Sequence, residues 1–487
     1  MGLVLVAVAT AAHASPNVSL DDPRYDQLAS MYARGIVPPF LGGLRPLTER
    51  RMDELIGGAG EPPSSWWVRP FSRALVRLLA VRELERPYST SRRPRDLVGL
   101  IAASCEHAEG RPCGPGTGLL TELDSSIGYQ DSLSLSTRLR AVAGSSAYDA
   151  DVSLDRAYLN VTLGPLAAEL GRDVIALGPS ARTSLGWGDH APPLDHVRLS
   201  TAEPFELTSS LRASVVYVLG RLRDPQTFHG NLVSIGRGQL DIGDHVELGM
   251  MQMLQVLGEG ARSLGLLDFI AEHVRRGDLS ATATDSSNRR VGFDVAIRSA
   301  TFGGARFYYQ LMFEDWRDRF HHALRHDADH LVGMDLAAIG PGLRHGLVVE
   351  LQQTGVRSQE HSPRVTGFTN AGRVTGSPLG PDALSLYAGG RIQLGRTTIA
   401  PWFEIARLSS DTYTFVTDGP IGRTTRGVSE LRFRAGGLVR RPLVRDLSIE
   451  VDAWFEHVER FEFERGARRD NVGVGVSAIW RPDFILP

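Results

Sequence analysis

From Gly118 to the C-terminus, apolar residues recur at every second position, and this period of two restricts the fold more than any other feature of the chain. In Ser132-Leu-Ser-Leu-Ser-Thr-Arg-Leu-Arg-Ala, Leu133, Leu135, Leu139 and Ala141 fall on one face. Ser134, Ser136, Arg138 and Arg140 fall on the other. Successive side chains of a strand point to opposite faces, so the pattern reads as β. It recurs from Arg156, Val291, Leu347, Leu384, Leu431, Ile449 and Val472. About 17 such runs follow one another, each near the ~10 residues that a tilted membrane strand needs.

A soluble sandwich would also alternate. Two features separate the chain from one. Short turns (144–145, 395–396, 442–446) are interspersed with long polar loops (178–193, 317–328, 355–381, 418–429), as in barrels of bacterial outer membranes. The second face also carries charges that a dry sandwich core would not hold. After residue 14 no stretch approaches ~20 consecutive apolar residues, so a membrane would have to be crossed by strands. The expected fold is mainly β: a transmembrane antiparallel barrel over 118–487.

The period also names the lumen. Its cations are Arg138, Arg140, Arg156, Arg298, Arg391, Arg432 and Arg434. Its anions are Glu169, Asp294, Glu314, Asp335, Glu350, Glu404, Glu450, Asp452 and Glu456. Ion-selective pores favour rings of one sign. The mixed set predicts a lumen knitted by ion pairs and poorly conducting. All 53 basic residues are arginine, whose planar fork suits bidentate carboxylate pairing. Tyr158, Tyr308, Tyr387, Trp402 and Trp454 share the inward face as filler, with a sugar-stacking role as the sharper alternative. Trp480 and Phe484 suit an interfacial aromatic girdle.

Residues 1–14 are apolar and end in Ala12-His13-Ala14, which reads as a secretory signal with its cleavage site. Residues 15–104 read as a small helical domain: one helix around Leu28, Met31 and Tyr32, a second after Thr48 as N-cap, and a third over 71–84. A polar linker is expected over 87–95. In an exported chain, Cys105 and Cys113 suit a disulfide closing a small loop.

No catalytic motif stands out: there is no G-x-S-x-G, HExxH, Walker A or S-x-x-K. His322, His326 and His330 recur every four residues near Asp327 and Asp329, yet match no zinc signature, so no metal is expected. Glu450 and Asp452 share a strand face, but inward acids are common in barrels. The expectation is a non-enzyme without cofactor. The net charge of −3 gives no reason to expect nucleic acid.

Several stretches resemble the Wzi-type capsule-assembly proteins. The strongest runs through Gly171-Arg172-Asp173, Gly178-Pro179-Ser180, Leu185-Gly-Trp-Gly-Asp-His-Ala-Pro192 and on to Leu199. Phe302 to Asp315, Gly333-Met334-Asp335 and the segments beginning at Leu28 and Arg45 are similar to others. The resemblance implies an occluded barrel of 18 strands with a periplasmic helical part, acting as an outer-membrane lectin that retains capsular or exopolysaccharide. It places recognition on extracellular loops, with Arg172, Arg182, Trp187, Asp189 and His190 as candidate sugar contacts. Arginine and aspartate would bond hydroxyls or uronates, and tryptophan would stack on a ring. Their alternative role is folding the loop against the barrel mouth. Partners would be the polymer, outer-membrane lipid and, for the helical part, an export machine, with the protein itself a monomer. A conduit for polysaccharide export and a hydrolase are the competing functions.

Overall fold

The computed structural model describes residues 14–37, 43–57, 65–83, 109–112, 115–274, 287–299, 304–314, 323–359, 364–409, 412–414, 422–424 and 428–482, apart from 131, 146–147, 181, 341, 343 and 365. Nearly all the signal segment, the 87–95 linker, Cys105, Cys113, His322 and Phe484 lie outside the described residues.

Eighteen antiparallel strands close into one barrel. They are β1 Trp66–Glu83, β2 Gly116–Tyr129, β3 Leu133–Gly144, β4 Asp151–Leu163, β5 Leu166–Asp173 and β6 Leu194–Thr201. Next come β7 Leu211–Arg221, β8 Leu232–Ile242, β9 Val246–Val256, β10 Asn288–Ser299, β11 Ala305–Glu314 and β12 Ala328–Ile339. The circuit ends with β13 His345–Gln353, β14 Ala383–Leu394, β15 Thr397–Ser409, β16 Ser429–Pro442, β17 Leu447–Glu459 and β18 Arg468–Trp480. Each pairs with the next, and β1 closes on β18 with Ala74 opposite Trp480. A short piece, Phe205–Thr208, extends the β6 side of β7.

The barrel is apolar outside and charged inside. Leu135, Leu139, Leu170, Leu199, Met250, Phe293 and Phe455 stand exposed on the wall, while Arg138, Arg140, Arg156, Glu350 and Glu404 are buried within. A continuous apolar belt of this kind is far larger than the few hundred Å² that soluble monomers tolerate. Trp66, Tyr129 and Trp480 are exposed at the short-turn end, and the Trp66 and Tyr129 rings lie 5.1 Å apart. Turns 130–132, 164–165, 243–245, 395–396 and 443–446 mark that end. The long connections 174–193, 257–287, 354–382 and 410–428 mark the other.

The third expected helix is a strand. Residues 71–84 read as helical because Phe71, Leu75, Leu78 and Leu79 fall at helical spacing. In the barrel they belong to β1, where apolar residues stand on both faces and Arg73 and Arg77 alternate with Leu75 and Leu79 on the inner one. Leu75, Leu79 and Val81 point inward against Leu120, Val142, Tyr148, Trp454 and Ile479, while Val76 and Leu78 remain exposed outside. An apolar patch inside the lumen thus erased the alternation. The helical part is correspondingly smaller than 15–104, and the barrel begins at Trp66 rather than near Gly118.

Among the described residues it holds two helices, α1 Arg24–Ala33 and α2 Glu49–Ile56. Thr48 caps α2 by accepting the Arg51 N–H at 3.3 Å, and Gly57 ends it with φ +79°. Leu28, Met52 and Leu55 pack with Val18 and Val37 between the helices. The pair sits on the short-turn end. Tyr32 donates to Glu247 at 2.7 Å, Arg298 donates to the Tyr32 carbonyl at 2.5 Å, and Arg391 donates to the Asp26 carbonyl at 2.8 Å.

Candidate functional site

Chain entering from both ends fills the lumen. From the short-turn end, the segment before α1 runs inside the wall. There the Asn17 N–H donates to the Tyr158 hydroxyl at 2.8 Å, and its amide donates to Glu169 and Asp173 at 2.7 Å each. From the long-loop end, the 174–193 connection folds inward. The two meet as a two-stranded sheet in which Leu44 opposes Leu177 and Arg45 opposes Ala176. Gly178 extends it by donating to the Gly43 carbonyl at 3.0 Å, and Arg45 reaches the Ser180 carbonyl at 2.7 Å. Around this sheet Leu44, Ile175, Leu177, Leu185, Trp187, Met251, Met253, Tyr308 and Phe368 form a buried apolar cluster. A lumen expected to be knitted by ion pairs therefore also holds a hydrophobic plug.

Beside the plug lies an arginine–carboxylate lattice. Glu122 on β2 accepts from Arg73 at 3.1 Å, from Arg111 at 2.7 and 3.0 Å and from Arg140 at 2.8 and 3.0 Å. Glu109, in the connection after β1, accepts from Arg138 and from the Leu20 N–H at 2.8 and 2.7 Å, contacts Ser19 and pairs with Arg156. Its own N–H donates to the Asp189 carbonyl at 2.9 Å. One residue, through its carboxylate and its main-chain N–H, thus joins a long-end connection, the N-terminal segment, the wall and the plug. Across the lumen Arg182 donates to Glu404 at 3.0 Å and to Glu350 at 3.4 Å, and lies 3.9 Å over the Tyr387 ring. Glu350 also accepts from Ser180 and Tyr308 at 2.5 and 2.6 Å, and Glu404 pairs with Arg434. Arg237 grips Asp294, and Arg290 grips Glu314 and Asp329. An unpaired buried charge costs several kcal/mol, so the acids and arginines hold one another in place.

Burial alone would raise the Glu109 carboxyl, but Arg156 and Arg138 outweigh it and hold the pKa at about 2 against an ordinary 4.5. A depressed acid contributes stability that is complete above the unfolded value and is lost as pH falls toward the folded one. Relative to Glu109→Gln, the native barrel is therefore expected to be more heat-resistant at pH 6. That advantage shrinks between pH 4.5 and about 2. Gel-mobility melting of the two proteins across this range measures it. A constant difference would contradict the assignment.

The candidate sugar residues do not form a surface. Trp187, Asp189 and His190 are 2%, 6% and 3% exposed, within the plug. Trp187 accepts the Leu177 N–H at 2.9 Å, and Arg373 donates to the His190 carbonyl at 3.2 Å. Arg182 lies in the lattice. Arg172 stands apart on the outer wall, bonded to Asp195 at 2.5 and 3.0 Å. The fragment carrying the four plug residues is a plug because its apolar members Leu177, Leu185 and Trp187 bury together, which loop composition alone did not reveal.

The inward set from the alternation lies where the period puts it: Arg138, Arg156, Tyr158, Asp294, Arg298, Glu314, Arg432 and Glu456 are buried. Arg440 pairs with Glu450 and Arg77 with Asp452. Trp402 packs on the β1-side apolar cluster with its ring 6.4 Å from Tyr387. Sequence reasoning missed Glu122 and Asp124, which a period of two through Leu119, Leu123 and Ile127 would have found. It also missed Asn17, Glu109 and Arg111, whose segments carry no periodicity. Among the described residues, no group of three or more His, Cys, Asp or Glu could hold a metal ion. His330 bonds Tyr309 and the Leu324 carbonyl, and Asp327 pairs with Arg357.

These features define an occluded barrel of the outer-membrane type. Residues 99–472 match the family described as capsule assembly protein Wzi, and the chain belongs to that family. Among solved structures it is similar to Wzi of Escherichia coli, with a TM-score of 0.68 and 13% identity over 96% of this chain and 100% of that one. That protein is described as an outer-membrane protein involved in group 1 capsule assembly and a carbohydrate-binding β-barrel. OccD3 of Pseudomonas aeruginosa gives a TM-score of 0.49 and 9% identity, covering 86% and 93% of the two chains. OprD of the same organism gives 0.46 and 9%, covering 88% and 97%. The comparison with curated proteins returns no match.

Proposed function

We propose that this protein sits in the outer membrane and holds exported capsular or exopolysaccharide at the cell surface. The filled lumen carries the reading: a plug tied to the N-terminal segment leaves a platform rather than a passage. Family membership and the description of the Escherichia coli relative supply the ligand class. The role is binding and needs no catalytic step or cofactor. The polymer meets the long-loop end. The plug residues Arg182, Trp187, Asp189 and His190 act there by holding up the loops that face it. The barrel works as a monomer in lipid, and α1 and α2 face the periplasm, where an export machine would dock.

A strain lacking the protein is expected to make polymer of normal amount and shed it into the medium. Polymer trapped in the periplasm would instead support the conduit. Incubating the purified protein with its own polymer is expected to leave chain length unchanged, and shortening would support the hydrolase.

A further inference from the structure

The connection between β9 and β10 carries a helix, α3 Leu266–Val274, that the lumen and its plug do not use. It lies on the outside of the wall. His273 Nε2 is 2.6 Å from the Ser234 hydroxyl, and the His273 ring is 6.2 Å from the Tyr217 ring. Gln252 donates to the His273 carbonyl at 2.9 Å. Ser234, Tyr217 and Gln252 all alternate with lumen positions, so they point outward. Ser287 donates to the Glu272 carboxylate at 3.1 Å, and Arg289 donates to the Glu272 carbonyl and pairs with its carboxylate.

The cover is visible in the burial. Ser234 and its cross-strand partner Leu254 are 1% and 0% exposed, although both are outward positions. On the same face of β9, Leu248 and Met250 are 39% and 52% exposed. Six residues separate Leu248 from Leu254, about 20 Å along the strand, or roughly 15 Å of height at a usual tilt. A lipid-facing belt is about 25 Å tall, so α3 lies within its upper part.

The helix's own outer face is mainly apolar, with Asp268 exposed beside it in the first turn. Leu266, Leu267 and Ile270 fall within about 100° of one another around the axis, Phe269 and Glu272 lie outside that arc, and His273 sits at its edge beside Leu266, on the side toward the wall. Those three apolar side chains are 75%, 80% and 53% exposed. In water this would be an unusual arrangement, because a helix against a protein normally turns its apolar stripe inward. Here His273 and Glu272 meet polar groups on the wall and its edge, and the apolar arc faces away.

We infer that α3 is embedded in the outer leaflet of the surrounding bilayer, with Leu266, Leu267 and Ile270 among the acyl chains. The apolar arc continues the lipid-facing wall of Leu248, Met250 and Phe293. His273 satisfies Ser234 and Gln252 away from hydrocarbon, where an unsatisfied polar group costs several kcal/mol. The inference rests on the membrane placement of the barrel but not on its sugar-holding role.

Spin labels placed by Leu267→Cys and Ile270→Cys, in a Cys105→Ser/Cys113→Ser background reconstituted in phosphatidylcholine vesicles, test it. Met250→Cys serves as the wall reference and Glu259→Cys as the aqueous reference. Labels at 267 and 270 are expected to match 250, with an oxygen-to-nickel accessibility ratio several-fold above that at 259. A ratio like that at 259 would overturn the inference. So would dipolar broadening that disappears on dilution with unlabelled protein, which would mean a second copy covers the helix. An aqueous signal at 250 as well would instead strike at the membrane placement. If the cysteine-free background fails to fold, Leu267→Trp in the native chain gives a second reading. Brominated acyl chains should quench the added fluorescence, and quenching by iodide instead would refute it.

Discussion

Glu122→Gln is expected to lower the stability of the barrel by about 3–5 kcal/mol, the range for breaking a buried ion pair by removing one partner. Three arginines, Arg73, Arg111 and Arg140, donate to this carboxylate, and Arg138 lies 3.7 Å away. Glutamine removes the charge, keeps one accepting oxygen and turns an N–H₂ toward donors, so the arginines lose half of their shared acceptor and all of its charge. Arg77→Gln is the matched control. Arg77 pairs with Asp452 at 2.9 Å, but its side chain is 25% exposed, so solvent screens the loss and the expected cost is about 1 kcal/mol or less. The temperature at which the compact form disappears on gels separates the two variants. Equal midpoints would show that the lattice is decorative.

In planar bilayers the native protein is expected to pass no stepwise current, whereas deletion of residues 176–190 is expected to produce steps of porin size. The deletion removes Leu177, Leu185 and Trp187 from the apolar cluster and Arg182 from between Glu350 and Glu404. It also removes the partner strand of Leu44 and Arg45. The wall itself keeps every inter-strand pairing, so the cylinder survives its loss of contents. Large steps from the native protein would sink the closed-lumen reading. A silent deletion variant that still migrates as a folded barrel would mean that the N-terminal segment alone seals the passage.

How far the sequence foretold this depends on where each segment sits. Strands such as β3 were legible because their outer face meets lipid and their inner face meets charge, so Leu135 and Arg138 differ in type as well as direction. β1 was not legible, because Leu75 and Leu79 face an apolar patch inside while Val76 and Leu78 face lipid outside. With leucines on the inner face among Arg73 and Arg77, and apolar residues outside as well, the period of two was lost and a helical spacing appeared by default. The caps of α2 could be read at Thr48, since capping is a local matter. The plug could not. Its residues gain their meaning from Leu44 and Arg45, more than 130 positions away, and a loop that folds inward has the composition of one that folds outward. The candidate site suffered most from this, since Trp187, Asp189 and His190 look like a sugar-binding set until burial shows them enclosed.

The two-residue sheet joining Leu44–Arg45 to Ala176–Leu177 has a mechanical consequence. If polymer is held by the long loops, a pull on the capsule arrives at the 174–193 segment. From there it has a direct route inward through main-chain hydrogen bonds to Gly43 and Arg45, and on to the start of α2. The wall strands need not stretch or slide to carry it. Drag on the cell's coat would therefore be shared between the rigid cylinder and a cord running down its axis, with the far end of that cord anchored on the other side of the membrane.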